Sequence, residues 1–264
     1  MSKKLFVVSD IHSFFSIFKN ELDKKGFDPN NENHWLIVCG DCFDRGDESY
    51  ELLKFLMNLE RKILVKGNHD ILLEECCMRE YFYHHDVHNG TKKTIESIGG
   101  AEHGKPFDEC CRNTWNKTAT YRDSLVNYFE TKNYIFVHGW IPCDVYSSNK
   151  MDRPWYQRKK IFEYRPDWRQ CTDAEWEEAM WINGISLGRR GVLEPNKIIV
   201  CGHWHCSAGY HMDSDGEISE FGEDACWEPY GRTEGNTGFL AIDRCTAHTG
   251  ECNIVVLEDE FLEG

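Results

Sequence analysis

The 264-residue sequence contains no apolar run close to the roughly 18 residues that a membrane-spanning helix needs. It begins with Met-Ser-Lys-Lys, but the apolar run Leu5 to Val8 is followed at once by Ser9 and Asp10. The apolar core of a signal peptide needs about 7–15 residues. We therefore expect a cytoplasmic protein without a membrane partner.

Positive charge is also scarce. Lys and Arg number 30 against 45 Asp and Glu, and the formal net charge is −15. A protein that coats nucleic acid or binds an anionic membrane needs a positive surface, so we exclude nucleic-acid coating as the main function. The hydrophobic share of 41% and the aromatic share of 13% are sufficient for a sizeable folded core.

The 13 cysteines do not suggest a disulfide framework. Their number is odd, and a chain of this length does not need disulfide bonds to fold. The single Cys-x-x-Cys pair, Cys39 and Cys42, has no second pair at the spacing of a zinc ribbon. The adjacent cysteines at 76–77 and 110–111 are typical of ordinary thiols, so the sequence predicts a reduced protein.

No repeat, low-complexity tract or Pro/Ser-rich linker divides the chain, and we predict a single domain over residues 1–264. Short apolar runs rich in β-branched residues each end in a polar loop, which is typical of strands. These runs begin at Leu5, Trp35, Ile63, Tyr134 and Ile198. Helical patterns lie between the early runs, and the alternation of strand and helix predicts an α/β fold.

Two stretches interrupt this alternation. Residues 74–130 are predicted to be helix and loop, and residues 145–195 a loop-rich excursion with one helix, which the capping box Thr172-x-x-Glu175 begins. After them, the apolar runs 238–243 and 253–257 have no helical pattern between them. They predict a closing hairpin or a second sheet.

Each of the five predicted strands ends in residues that bind metal ions or phosphate. The loops contain Asp10-x-His12, Gly40-Asp41-x-x-Asp44-Arg45-Gly46, Gly67-Asn68-His69-Asp70, His138-Gly139 and Gly202-His203-x-His205. Ligands of open α/β sheets bind beyond the carboxyl ends of the strands, so the five loops are expected to converge. One such motif is weak evidence, but five in this order point to a single site.

This set of motifs resembles the calcineurin-like metallophosphoesterases, and residues 40–46 are similar to the phosphoprotein phosphatase branch. Serines stand at 9 and 13, where that branch usually has glycines, and Asp70 stands in place of its usual glutamate. The Gly-His-x-His motif at 202–205 is more typical of the wider superfamily. The Ser-Ala-Pro-Asn-Tyr segment of the eukaryotic enzymes is absent, so the chain looks most like the bacterial and phage-type serine/threonine phosphatases.

The resemblance implies the metallophosphatase β-sandwich flanked by helices, with two divalent ions at the carboxyl ends of the strands. Manganese is the expected metal, with iron or zinc as alternatives. Asp41 is expected to bridge the ions. The resemblance implies Asp10 and His12 as ligands of the first ion, and Asn68, His138 and His203 as ligands of the second. His205 is an expected extra ligand of the first ion, the alternative being a histidine hydrogen-bonded behind the ligands.

The same resemblance implies catalytic roles for the motif residues. His69 would protonate the leaving alkoxide, and Asp44 would orient it and raise its pKa. Arg45 would bind phosphate together with Asn68 and His69, although Asp44 and Arg45 could instead form a structural ion pair.

Two further residue types near these motifs have two interpretations each. A second phosphate-binding arginine is expected before the Gly-His motif, with Arg189 or Arg190 as candidates and a solvated turn as the alternative. A thiol close to two cations could act as a redox switch. For Cys42 a side chain packed beneath the loop is the favoured interpretation.

Together these features predict a metal-dependent phosphoester hydrolase in which an activated water attacks phosphorus in line. The preferred substrates are phosphomonoesters, including phosphoserine and phosphothreonine in proteins. The motif at 40–46 is shared with symmetrical dinucleoside tetraphosphate hydrolases, so cleavage of anhydrides or diesters is the alternative. A non-catalytic scaffold is a distant alternative, because the predicted ligands and His69 are all present.

Overall fold

The computed structural model describes residues 2–101, 104–147, 160–209 and 227–262. The strands in these ranges are β1 (Lys3–Val8), β2 (His34–Cys39), β3 (Lys62–Val65), β4 (Leu125–Val126), β5 (Phe129–Glu130), β6 (Tyr134–Phe136), β7 (Asp144–Ser147), β8 (Lys160–Glu163), β9 (Ile198–Cys201), β10 (Tyr230–Glu234), β11 (Thr237–Ala241) and β12 (Val255–Asp259). The helices are α1 (Phe15–Lys24), α2 (Ser49–Asn58), α3 (Asn68–Arg79), α4 (His84–Asn89), α5 (Thr91–Gly99), α6 (Phe107–Lys117), α7 (Ala119–Asp123), α8 (Asp173–Ala179), α9 (Gly184–Arg189) and α10 (Thr246–Thr249).

The strands form two five-stranded sheets and a separate pair, β7 and β8. The first sheet has the order β12-β1-β2-β3-β4, in which β1 to β4 are parallel and β12 is antiparallel to β1. The second has the order β10-β11-β9-β6-β5, in which the three central strands are parallel and both edge strands are antiparallel. Both sheets therefore direct the carboxyl ends of their central strands toward loops that carry the predicted motifs.

The two sheets pack face to face, and apolar side chains from both fill the layer between them. Its buried members are Leu5, Val7, Ile37, Cys39, Val65, Phe136, Val200 and Ile242. Alternate residues of the first sheet, such as Phe6 and Val38, point to its other face and pack against α1, α2, α3, α5 and α6. One face of each strand packs against the other sheet and the opposite face against helices. Apolar residues are therefore needed on both faces, and the strands are continuous apolar runs in the sequence.

The outer face of the second sheet is covered by α8, α9 and the segments around them. Trp140, Trp168 and Trp176 are buried there against Ile199 and Phe239. Helices thus cover the outside of both sheets. The predicted α/β sandwich flanked by helices is confirmed.

Several local predictions are also confirmed. Helix α1 buries Phe18 and Leu22, which lie on the face that its four-residue spacing predicted. Helix α8 begins at the predicted capping box, where the Thr172 Oγ1 accepts a hydrogen bond from the Glu175 N–H at 3.4 Å and the Glu175 carboxylate accepts one from the Thr172 N–H at 2.8 Å.

For the runs 238–243 and 253–257 the predicted closing hairpin is wrong, whereas the alternative, a second sheet, is correct for the run 238–243. The run 238–243 contributes β11 to the second sheet, whereas the run 253–257 contributes to β12, which pairs with β1 in the first sheet. The short helix α10 lies between them, where the sequence had suggested no helix. β11 pairs with β9, and β12 pairs with β1, and these tertiary pairings outweigh the proximity of the two runs in sequence.

The two excursions contain more structure than their composition suggested. Residues 74–130 are mainly helical as predicted, but β4 and β5 close the stretch as edge strands. The 145–195 excursion has a second helix, α9, which corrects the prediction of one helix; residues 148–159 lie outside the described part. Helix α9 begins where the Asn183 Oδ1 accepts a hydrogen bond from the Ser186 N–H at 2.9 Å, and it buries Ile185 and Leu187.

The described cysteines are all free thiols. Within the described part of the chain, no helix is both long and apolar enough to span a bilayer.

Candidate metal centre

The five motif loops converge on a cavity of about 160 Å³ at the carboxyl ends of β1, β2, β3 and β9. It is lined by Asp10, His12, Asp41, Arg45, Asn68, His69, Leu72, Asn89, Trp181, His203, His205 and Asp243. The predicted ligand His138 lies beside this lining and is 1% exposed, with its Nε2 3.4 Å from the Asp41 Oδ1. The structure therefore brings all the predicted ligands together.

Left-handed backbone conformations are concentrated in these loops. Positive φ angles occur at the non-glycine residues Asp10, His12, Ser13, Asp41, Asp44, Arg45 and His203. Each costs roughly 1–2 kcal/mol for a residue with a side chain, so the surrounding structure must impose them. Such strain turns the functional side chains into the cavity instead of along the strands.

Glycines permit close approach at two points under the cavity. Gly40 has a φ of +81°, and a Cβ at this position would collide with the ring of His138. A Cβ on Gly67 would collide with the backbone nitrogen and the carboxylate of Asp41. Both glycines are therefore required for the ligands around Asp41 to pack together.

Asp41 lies at the centre of the possible ligand atoms. Its Oδ2 is 3.8 Å from the His12 Nε2 and 3.9 Å from the His69 Nε2. Two groups of donor atoms fall within 4.8 Å of one another, one containing Asp41 with His12 and His69, the other Asp41 with His138 and His203. Asp41 is common to both groups, which is the position a bridging carboxylate needs.

In two of the histidines a backbone carbonyl fixes a proton on Nδ1. The His12 Nδ1–H donates to the Phe43 carbonyl oxygen, and the His138 Nδ1–H donates to the Cys39 carbonyl oxygen, both at 2.9 Å. A carbonyl can only accept, so the proton must lie on Nδ1 in both rings. The Nε2 atom of each ring is then directed toward Asp41 as a possible metal ligand.

Burial sets the charge of most of these histidines. It lowers the pKa of His203 to about 3 and that of His205 to about 4, and it lowers the pKa of His12 well below its usual range. All three imidazoles are therefore neutral at pH 7. A neutral imidazole offers a lone pair to a metal ion.

His138 behaves differently because it faces a carboxylate. Burial alone would lower its pKa, but Asp41, Asp10 and the hydrogen bond to the Cys39 backbone together outweigh burial and raise the pKa of His138 to about 10. Burial would likewise raise the pKa of Asp41, but His138 and His69 hold it well below its usual range. Without a metal ion, a proton on His138 neutralises Asp41, and a cation can take over that role.

The donor atoms fit divalent metal ions. Imidazole nitrogens, carboxylate oxygens and an amide oxygen suit manganese, iron or zinc, and the described donors near Asp41 include no thiol. Asp10 adds a second buried carboxylate, whose Oδ2 accepts a hydrogen bond from the His203 N–H at 3.0 Å. Burial and Asp41 raise the pKa of Asp10, an effect that a bound cation would reverse.

His69 and Asp44 form a hydrogen-bonded pair next to this cluster. The His69 Nδ1 lies 2.7 Å from the Asp44 Oδ2, and the two side chains are 6% and 0% exposed. Burial would lower the pKa of His69, but Asp41 and Asp44 outweigh it and raise the pKa. With its Nδ1 bound to Asp44, His69 has its Nε2 on the cavity side.

Arg45 and His205 also line the cavity. Arg45 is exposed, and its backbone N–H donates to the Asn89 carbonyl oxygen at 3.2 Å. The His205 Nε2 lies 3.9 Å from the Asp243 Oδ2. The structure does not bring Arg189 or Arg190 to the cavity, because both lie at the end of α9 and Arg190 is exposed.

Cys42 is fully buried beneath its loop. Burial raises the pKa of its thiol well above the usual range, which disfavours the thiolate that a redox switch needs. The packed interpretation of Cys42 therefore holds.

Sequence reasoning missed several residues of the site. Asp243 is 2% exposed and lines the cavity at the carboxyl end of β11. Its position as the acidic last residue of the predicted run 238–243 was a sequence signal that could have identified it. Trp181 is 53% exposed at the cavity wall, with its ring 5.8 Å from that of His203. Leu72 and Asn89 carry no motif, and only the folding of α3 and α4 brings them there.

The fold is a helix-flanked β-sandwich, and two overlapping groups of histidine and carboxylate donors at its strand ends could hold metal ions. The chain matches the family model of calcineurin-like phosphoesterases over residues 3–207. It belongs to this family, whose members use divalent metal ions.

Curated relatives match a smaller part of the chain. Symmetrical bis(5'-nucleosyl)-tetraphosphatases from Aromatoleum aromaticum and Buchnera aphidicola are 37% and 38% identical over 70 and 69 residues. The matched segments are 26% of this chain, and they cover 25% and 24% of the relatives. The chain thus spans about a quarter of the length of these relatives.

Solved structures are similar in fold. The cold-active protein tyrosine phosphatase of a psychrophilic Shewanella is 15% identical, with a TM-score of 0.50, over 97% of this chain and 75% of that one. A point mutant of a cold-active protein tyrosine phosphatase is 16% identical, with a TM-score of 0.54 and the same coverage. At these identities the likeness concerns the fold alone.

Proposed function

We propose that the protein is a phosphomonoesterase of the bacterial and phage serine/threonine phosphatase type, acting on phosphoserine and phosphothreonine in proteins. The proposed centre holds two divalent ions through Asp10, His12, Asp41, Asn68, His138, His203 and His205. Manganese as the physiological ion and a cytoplasmic location remain predictions from the sequence.

The size and charge of the cavity carry this proposal. Its volume of about 160 Å³ is sufficient for a single phosphoryl group and several waters. Arg45 is the only lysine or arginine among the described residues that line it. The positive charge of Arg45 and of the two proposed ions is thus concentrated at one phosphoryl position, which suits the single phosphate of a monoester.

Each group has a chemical task in this proposal. The bound ions would supply an activated water and neutralise charge on the phosphoryl oxygens. Arg45 presents a planar guanidinium that matches two phosphoryl oxygens. His69 donates its Nε2 proton to the leaving oxygen as the phosphorus–oxygen bond breaks. Its Nδ1–H remains hydrogen-bonded to the Asp44 carboxylate.

Cleavage of dinucleoside polyphosphates is a second candidate, favoured by the names of the curated relatives. On this interpretation one phosphoryl group would occupy the cavity, and the nucleoside ends would extend past its rim. Trp181, half exposed at that rim, offers an aromatic surface to such a group.

A substrate comparison tests the proposal. Initial rates are measured with Mn²⁺ and with a chelator on p-nitrophenyl phosphate, bis-p-nitrophenyl phosphate and diadenosine tetraphosphate. We expect metal-dependent hydrolysis with kcat/KM highest for the monoester, followed by turnover of phosphoserine and phosphothreonine peptides. A higher kcat/KM on diadenosine tetraphosphate would replace the proposal with the second candidate, and no metal-dependent rate on any substrate would overturn both.

A further inference from the structure

We propose that a network of four buried hydroxyl groups positions Asp44 and, through it, the imidazole of His69 for proton transfer. The hydroxyls belong to Ser13, Ser49, Thr91 and Thr94, all of which are 0% exposed. This inference rests on the proposed function, because it concerns His69 as the acid of that reaction.

The contacts of the Asp44 carboxylate begin the argument. Its Oδ2 accepts hydrogen bonds from the His69 Nδ1 and the Thr91 Oγ1, each at 2.7 Å. Its Oδ1 accepts from the Thr94 Oγ1 at 2.9 Å. Both oxygens are therefore held by donors from α5, and the carboxylate cannot rotate without breaking a buried hydrogen bond.

The direction of the hydrogen bonds is determined at Thr94. Its Oγ1 accepts from the Asp44 N–H at 2.9 Å and from the Ser49 hydroxyl at 3.4 Å. A hydroxyl has one proton, so that of Thr94 points to the Asp44 Oδ1. Residue Thr94 thus binds both the backbone and the carboxylate of the same aspartate.

The network continues to the first motif loop. The Ser13 and Ser49 hydroxyl oxygens are 2.8 Å apart. With Ser13 as the donor to Ser49, and the Ser49 proton directed to Thr94, the hydrogen bonds run in one direction, from Ser13 through Ser49 and Thr94 to Asp44.

Ser13 is the unexpected member of the network. Its φ is +60°, a left-handed conformation that favours glycine. A side chain there strains the backbone. The buried hydrogen bond to Ser49 offers a compensation that glycine cannot provide.

The chemistry of the leaving group shows why a fixed Asp44 matters. When the phosphorus–oxygen bond breaks, its electron pair goes to the leaving oxygen, and the His69 Nε2 proton moves to that oxygen. A phenolate or alkoxide needs this proton much more than p-nitrophenolate does. Misplacement of His69 therefore slows substrates with poor leaving groups most.

The test compares p-nitrophenyl phosphate with phenyl phosphate on the metal-loaded enzyme. The variants Thr91→Val and Thr94→Val each remove one hydroxyl and preserve shape. Since a hydrogen bond to a charged group is at stake, we expect kcat on phenyl phosphate to fall about tenfold more than on p-nitrophenyl phosphate. KM and the metal content of the protein are expected to stay at wild-type values.

Matched variants separate positioning from general loosening. Thr91→Ser keeps the hydroxyl and is expected to restore the phenyl phosphate rate. Thr114→Val removes another fully buried hydroxyl, which donates to the Ile95 carbonyl oxygen of α5 at 3.1 Å and does not contact Asp44. We expect Thr114→Val to change both substrates equally.

A variant at the far end of the network covers the case in which the valine variants fail to fold. Ser13→Gly suits the positive φ, so it is expected to fold, and it removes the first donor. A loss of about two- to threefold that is specific to phenyl phosphate is expected for this variant.

Equal losses on both substrates in Thr91→Val, Thr94→Val and Ser13→Gly would overturn the inference, as would a Thr114→Val variant with the same leaving-group effect. His69→Asn is the reference. A strong leaving-group effect in His69→Asn with none in the hydroxyl variants would refute the network alone. No leaving-group effect in His69→Asn would refute the acid role of His69 and the network together.

Discussion

The carboxylate of Asp70 accepts a hydrogen bond from the buried hydroxyl of Tyr121 at 2.7 Å. The other oxygen of Asp70 accepts one from the Gly67 N–H at 2.8 Å. Tyr121 belongs to α7, far along the chain from the third motif, and is 1% exposed. The side chain of Asp70 therefore joins α7 to the turn that presents Asn68 and His69.

Tyr121→Phe should weaken this support without changing the shape of the core. Because the substitution leaves a buried carboxylate with one donor fewer, we expect the free energy of unfolding to fall by about 1–3 kcal/mol. Metal affinity should fall as well, since Asn68 follows Gly67 directly. Urea unfolding and metal titration would measure the two effects.

Tyr164→Phe is the control for that substitution. The Tyr164 hydroxyl also donates to a carboxylate, that of Glu194, at 2.6 Å, but outside the cavity. The Tyr164→Phe substitution should lower the free energy of unfolding and leave metal affinity unchanged. Equal metal affinity in the two variants would show that the Tyr121 hydroxyl does not support the ligand turn.

Asp41→Asn should remove the metal ions. The amide carries no charge, and only a carboxylate can neutralise and bridge two cations at the centre of the donor groups. We expect metal content, measured by elemental analysis after gel filtration, to fall below one ion per chain, with activity at background.

Asp259→Asn makes the same chemical change at a buried carboxylate remote from the cavity. Asp259 is 3% exposed and accepts hydrogen bonds from Thr131 and Asn133. This variant should keep its metal while losing stability. Full metal content in Asp41→Asn would contradict the bridging assignment.

Arg45→Ala should weaken phosphate binding. With one guanidinium lost from the cavity, we expect the inhibition constant of inorganic phosphate and the KM for p-nitrophenyl phosphate to rise about tenfold or more. Arg190→Ala, an exposed arginine at the end of α9, is the control and should change neither. Unchanged product inhibition in Arg45→Ala would favour a purely structural role for this residue.

Glu130 provides a pH-dependent test of stability away from the cavity. Its carboxylate accepts hydrogen bonds from the Arg169 Nε and Nη2 at 2.8 and 2.7 Å, and the Lys197 Nζ lies 3.1 Å away. Burial would raise the pKa of Glu130, but these cations outweigh it and lower the pKa below its usual 4.5. The ionised form is therefore preferred in the folded protein.

A lowered carboxyl pKa stabilises the fold above the unfolded pKa, and this contribution is lost as the pH falls toward the folded pKa. Glu130→Gln should therefore cost about 1–3 kcal/mol of unfolding free energy at pH 7. The difference from wild type should shrink as the pH falls below 4.5. Urea unfolding at pH 7, 5 and 4 checks this, and a difference independent of pH would contradict the assigned cause.

The sequence alone determined where the donor atoms of the site would meet. Asp10, Asp41 and His203 each follow an apolar run within two residues, and the ends of neighbouring parallel strands must lie at one edge. Local signals of this kind depend on residues close together in the chain. For the same reason the capping box at Thr172 was readable from four residues.

Only the tertiary structure decided which residues support those donors. Thr94 forms a hydrogen bond with Asp44 across 50 positions, and Tyr121 forms one with Asp70 across 51. Neither contact can be predicted from the local sequence. Likewise, β11 and β12 join different sheets although they are close in sequence. Such contacts follow from how whole helices and sheets pack, because burial of apolar faces brings distant segments together and hydrogen bonds then select the polar partners.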